Sequence, residues 1–105
     1  MTKPNTTLTE LQKHLDETCR ANGWDKRSVA ECFLLFSEEI GELAHAIRKE
    51  TGLKGEAKPA NSKDNLRHEF ADALNYLMEL ANRFDIDLTE AYFEKHDINR
   101  QRTWN

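Results

Sequence analysis

At 105 residues the chain is long enough for one domain with a small core, and it reads as a single domain over 1–105. A net charge of -4, with acids and bases interspersed, offers no basic face to nucleic acid or an anionic membrane. No apolar run is long enough to span a bilayer, and Met1 to Thr7 reads as a flexible N-terminus rather than a signal peptide. Cys19 and Cys32 fit neither a CxxC nor a zinc-like spacing, so two free thiols in a cytoplasmic protein are expected.

Four helices and no strands are predicted in chain order. The first runs from about Leu8 to Ala21. Thr7 and Glu10 have capping-box spacing, Leu8, Leu11, Leu15 and Cys19 form the apolar stripe, and Asn22-Gly23 stops the helix. The second starts near Asp25 to Ser28, where Ser28 and Glu31 again fit a capping box, and ends near Glu50, before Gly52. Its core stripe is Phe33, Phe36, Ile40, Leu43, Ala44 and Ile47. Residues 51–63, TGLKGEAKPANSK, form a loop because Gly52, Gly55 and Pro59 interrupt any helix. Its lysines, Lys54, Lys58 and Lys63, suit either a lid over an anionic ligand or a plain solvated connection. The third helix is expected from about Asp64 to Arg83, with Leu66, Phe70, Ala73, Leu74, Leu77, Ala81 and Phe84 toward the core. Asp87 and Glu90 cap a fourth helix, Leu88 towards Asn99, whose apolar side is thin. The fold class is therefore all-α: a four-helix bundle with wide apolar faces, completed by oligomerisation.

Two acidic couplets stand out, Glu39-Ile-Gly-Glu42 on the second helix and Glu69-Phe-Ala-Asp72 on the third. Acids three residues apart share one helical face. Two such helices side by side would aim four carboxylates at one small volume, an arrangement that calls for a cation. Leu35 and Ala46 flank Glu39 and Glu42 along their own row, which predicts partial burial. Oxygen-only ligands suit Mg²⁺, Mn²⁺ or Ca²⁺, and an open carboxylate site of this kind typically holds Mg²⁺ with phosphate oxygens. Glu38 is either a further acid facing the metal or a surface residue. Lys95, Arg100 and Arg102 are candidates to grip phosphate, and Trp24, Tyr76 and Trp104 offer flat surfaces to a base or sugar. Each has a plainer reading: Trp24 as a hydrophobic staple, Tyr76 as core, Trp104 as part of a frayed end. Glu42-Leu-Ala-His45 is also a literal ExxH, as in di-iron carboxylate bundles, but the third helix offers ExxD where a second such motif is needed.

These residues resemble the MazG-like nucleoside triphosphate pyrophosphohydrolases, an all-α superfamily whose signature is ExxE followed on the next helix by ExxD. Here it reads EEIGELAHAIRK around Glu39 and Glu42, then HEFADALNYL around Glu69 and Asp72. The segment EKHDINRQRTW is similar to the family's lysine–asparagine–arginine segment, and NGW to its aromatic entry. The resemblance implies hydrolysis of a (d)NTP between the α- and β-phosphates to (d)NMP and pyrophosphate, clearing unwanted nucleotides. It implies that Glu39, Glu42, Glu69 and Asp72 hold Mg²⁺, with Mn²⁺ as an alternative. Lys95, Asn99 and Arg102 would hold phosphates, and Trp24 and Tyr76 would contact the nucleoside, as in the dCTP-hydrolysing branch. Lys49 stands near the position where that branch has an aromatic, which leaves the base preference open. The catalytic candidates are Glu38 and Glu39, and the sequence does not choose the general base. A homo-oligomer, dimer or tetramer, is expected, with a nucleoside triphosphate as substrate and neither nucleic acid nor membrane as partner. The competing functions are a non-catalytic helical module that binds nucleotide or protein, and the di-iron protein.

Overall fold

Backbone caps set the frame of the structure, a computed structural model that describes residues 5–102. Met1 to Pro4 and Trp104, which figure in the sequence reading, lie outside the described residues. Thr7 accepts the amide of Glu10 and opens α1, Leu8–Ala21. Asn22 ends it, and Gly23, at φ 75°, turns the chain into a 3-10 turn over Trp24–Lys26 that periodicity did not predict. Ser28 and Glu31 exchange both bonds of the expected capping box and start α2, Val29–Thr51. Gly52, at φ 64°, closes α2 in the left-handed conformation that glycine adopts without penalty. Asp87 accepts from the amides of Thr89 and Glu90 and opens α4, Leu88–Gln101.

The third helix, α3, spans Ser62–Arg83 and so begins two residues before the expected start. A tertiary contact explains the extra residues. Ser62 is buried, and its hydroxyl donates to Glu50 Oε1 at 2.6 Å, which ties the start of α3 to the end of α2. Lys58 reaches the same Glu50 oxygen at 3.4 Å, while Glu56 pairs with Arg48 and Lys49. The loop is thus fastened to α2 by its charges, and Lys58 serves as a tether. Among the described residues the secondary structure is helical throughout, and no helix is long and apolar enough to cross a membrane.

The long antiparallel pair α2–α3 is the main packing contact, and α1 lies across α3. The inward row of α2 carries Cys32, Phe36, Glu39, Leu43, Ala46 and Glu50, and that of α3 carries Ser62, Leu66, Glu69, Ala73, Tyr76 and Leu80. Small and polar residues make a narrow seam. Much of the two stripes expected to form the core faces outward instead: Phe33, Ile40 and Ile47 on α2, Phe70, Leu74 and Leu77 on α3, and Phe84 at its C-cap are exposed.

Buried Gln12 joins the remaining pieces. Its amide donates to Asn82 Oδ1 at 3.0 Å and to the carbonyl of Ile86 at 2.8 Å, and its carbonyl accepts the amide of Leu88 at 2.8 Å. The Asn82 side-chain amide in turn donates to the main-chain carbonyl of Gln12 at 3.0 Å. Thr9 adds a bond to Asp87 at 2.8 Å. Leucine at position 12 would match the volume but leave these buried groups unpaired, at about 1–3 kcal/mol for each. Gln12→Leu is therefore expected to lower unfolding free energy by at least about 2 kcal/mol in urea denaturation, with the loss in the midpoint and little change in slope.

Candidate functional site

Glu39 and Glu69 occupy interior positions of the α2–α3 seam because the periodicity that aligns Cys32, Phe36, Leu43 and Ala46 also turns Glu39 inward. Asp72, one turn after Glu69, stands at the seam's edge. One carboxylate oxygen from each of Glu39, Glu69 and Asp72 can be chosen so that all three lie within 4.8 Å of one another. Burial raises the Glu39 carboxyl above its ordinary pKa of 4.5, and the charges of Asp72, Glu69 and Glu42 raise it further. Oε2 of Glu69 is buried and meets no hydrogen-bond donor. Three converging carboxylates with a buried, unpartnered oxygen form a donor set that fits a hard divalent cation.

The other expected site residues divide into two groups. Trp24 and Tyr76 reach the acids: with Glu39, Asp72, Leu15, Arg27, Asn75 and Glu79 they line a cavity of about 270 Å³. Glu42 is exposed and outside the carboxylate trio. It lines a neighbouring cavity with Glu69, His45, Lys49 and Asn65. Glu38 is exposed, also outside the trio. Lys95 and Asn99 line a separate, largely apolar cavity with Leu8, Leu74, Leu77 and Tyr92, and Arg102 is exposed at the end of α4. Within one chain the fourth helix therefore brings none of its three candidates into the acid-lined cavity.

Three polar lining residues escaped the sequence reading as site residues: Arg27, Asn75 and Glu79. Glu79 had a signal, since it continues the row of Glu69, Asp72 and Tyr76 by one more turn. Arg27 had none, because the 3-10 turn places it. The expected free thiols are present and buried. Burial, and then the Glu79 carboxylate, push the Cys19 thiol up to about 11, while burial followed by Glu79 raises Cys32.

Fold and site together define a class: a helical protein that gathers oxygen ligands in the seam of two helices, beside an aromatic-walled cavity. The sequence pattern of the MazG nucleotide pyrophosphohydrolase domain matches residues 27–102. The chain is 31% identical over 102 residues to dCTP pyrophosphatase 1 of Mus musculus, and 32% identical over 104 residues to dCTP pyrophosphatase 1 of Homo sapiens. Each match takes in 94% of this chain and 60% of the relative, so the chain spans about three-fifths of the relatives' length. The protein belongs to the MazG nucleotide pyrophosphohydrolase domain family.

The raised Glu39 pKa carries a stability consequence. A carboxyl whose pKa is higher folded than unfolded stabilises the fold below its ordinary value, and that contribution is lost as pH rises through the folded value. In EDTA, Glu39→Gln should therefore melt higher than the parent at pH 7, with the gap closing towards pH 4. Mg²⁺ should raise the melting temperature of the parent more than that of the variant. Thermal denaturation at several pH values checks both.

Proposed function

We propose that the protein is a Mg²⁺-dependent nucleoside triphosphate pyrophosphohydrolase that cleaves (d)NTPs between the α- and β-phosphates to (d)NMP and pyrophosphate. The observation that carries this reading is the juxtaposition of the Glu39–Glu69–Asp72 trio with a cavity walled by Trp24 and Tyr76, within a domain of this family. The trio would hold the cation, with Glu42 close enough to raise the Glu39 pKa by its charge. A divalent ion bound there supplies charge neutralisation for the phosphates and a lowered pKa for the attacking water; Mn²⁺ is the alternative metal. Trp24 and Tyr76 would stack the nucleoside and hold the α-phosphate over the acids. Of the two catalytic candidates, Glu39 lines the cavity and Glu38 does not, which favours Glu39 as the group that orients the water. The names of the relatives make dCTP the first nucleotide to assay, and the role would be housecleaning of the nucleotide pool.

The expected result is pyrophosphate and monophosphate in equal amounts, dependent on Mg²⁺ and abolished in a folded Asp72→Asn variant. Release of single phosphate, or full activity in Asp72→Asn, would overturn the assignment.

The working form is proposed to be a homo-oligomer. The chain has a radius of gyration of 16.7 Å, against roughly 13 Å for a compact domain of this length. It exposes 7959 Å², where a compact monomer of 12.2 kDa would expose roughly 6,100 Å². The excess coincides with uncovered aromatic and aliphatic side chains that a second copy would bury. If Lys95, Asn99 and Arg102 hold phosphates, they must reach the acids from another subunit. Light scattering should give at least twice the chain mass, and Phe70→Asp should shift the protein towards monomer. A monodisperse monomer at micromolar concentration would contradict the proposal.

A further inference from the structure

The carboxylate trio opens onto two cavities of different chemistry. Glu39 and Asp72 line the one walled by Trp24 and Tyr76, whereas Glu69 lines its neighbour of about 340 Å³ together with Glu42. One oxygen from each member of the trio lies within 4.8 Å of the others, so a phosphate chain centred there has open volume on either side. The neighbouring cavity has no phenyl or indole wall to stack a base. Its lining offers donors instead, from Lys49, His45 and Asn65. The Arg48 guanidinium stands 3.3 Å from His45 Nδ1. A guanidinium only donates, so Nδ1 accepts, and the neutral ring keeps its proton on Nε2 as a further donor.

Lys49 is the cation most readily given up to a ligand. Arg27 and Lys49 are the two permanently charged cations lining these cavities, and each already has a carboxylate partner. The partners differ. Glu79, which pairs with Arg27, is 5% exposed and fixed on α3. Glu56, whose Oε2 lies 2.5 Å from Lys49 Nζ, has a 36% exposed side chain on the loop 52–61, after two glycines at positive φ, Gly52 and Gly55. An exposed ion pair of this kind contributes little, and pyrophosphate offers the same ammonium more charge and more acceptor oxygens than one carboxylate does.

We infer that this second cavity seats the pyrophosphate half of the nucleotide, with Lys49 as its anchor and His45 and Asn65 as further donors, and that Glu56 holds the anchor until phosphate replaces it. This rests on the proposal that a triphosphate is cleaved at the trio. Water attacking the α-phosphorus forms one P–O bond while the bridging bond to the β-phosphate breaks, and the electron pair leaves on the pyrophosphate oxygen. The Lys49 ammonium offsets the charge that develops on that side. The substrate thereby acquires a direction along the α2–α3 seam, nucleoside towards Trp24 and Tyr76, outer phosphates towards Lys49.

The test is equilibrium binding of inorganic pyrophosphate, with Mg²⁺ present, by calorimetry on the full chain. Lys49→Met should weaken binding at least about tenfold while the protein still melts cooperatively, and Lys49→Arg should restore most of the loss. Glu56→Gln, which removes the competing carboxylate, should tighten binding by roughly two- to fivefold. The affinity for dCMP, which lacks both outer phosphates, should be unaffected by Lys49→Met. Failure of the unaltered protein to bind pyrophosphate would overturn the inference. So would a folded Lys49→Met that binds pyrophosphate as tightly as the parent or loses dCMP equally, or a Glu56→Gln that binds no more tightly. Turnover assays separate it from the functional proposal. Pyrophosphate held through Lys49 without hydrolysis of any triphosphate would leave the seat standing and remove the enzyme, whereas hydrolysis with pyrophosphate binding indifferent to Lys49 would do the reverse.

Discussion

Electrostatic repulsion inside the α2–α3 seam is the constraint around which the structure is arranged. A helix pair of this length can be sealed with leucine and alanine alone. Here the seam admits Glu39 and Glu69, with Asp72 at its edge, at positions where the helical period demands a side chain that faces the partner helix. Burial first, and then the charges of Asp72, Glu69 and Glu42, raise the Glu39 carboxyl above its ordinary pKa. What holds the seam shut lies on either side of it. Ser62 and Lys58 fasten the loop end to Glu50, and the Ser28–Glu31 box and Arg83, bonded to the Arg27 carbonyl, fix the other end. The fold gathers carboxylates in its seam and secures that seam from its ends, and this donor set fits a hard divalent cation.

The same choice explains the uncovered surface. Small and polar residues make a narrow seam, so the bulky apolar side chains of α2 and α3 are displaced to the flanks. Phe33, Phe70 and Phe84 are each more than half exposed. An apolar flank of that breadth is the surface that the proposed second copy would cover. The placement of Lys95 and Asn99 on a separate cavity is consistent with a site whose cations arrive from outside the chain.

Local chemistry was legible in the sequence where it is local. Capping residues Thr7, Ser28 and Asp87 and the stop at Gly52 each act within one turn, and each marks its helix end as expected. The acid couplets were legible because three-residue spacing is itself a geometric statement. Which row of each helix would face its neighbour was not, because that depends on how wide a seam the pair adopts. Much of the broad apolar stripes of α2 and α3 was read as core but is flank, whereas Phe36, Leu43, Leu66, Ala73 and Ala81 do face inward. Both couplets have the same three-residue spacing, yet Glu69 and Asp72 both enter the trio while Glu39 enters it and Glu42 does not. Gln12 lies beside the stripe of Leu8, Leu11, Leu15 and Cys19, and nothing local in the sequence marks it. Its role is set by Asn82 and the 86–88 backbone, about seventy residues away in the chain.

The proposed function turns on whether the seam's carboxylates bind a divalent ion. Titration of the full chain with Mn²⁺, followed by electron paramagnetic resonance, addresses this without reference to any substrate. The account predicts saturable Mn²⁺ binding displaced by Mg²⁺, and loss of that binding in a folded Glu69→Gln variant, whose substitution removes the charge at the orphaned oxygen. A parent protein that leaves Mn²⁺ free at millimolar concentration, or a Glu69→Gln variant that binds as tightly as the parent, would contradict it.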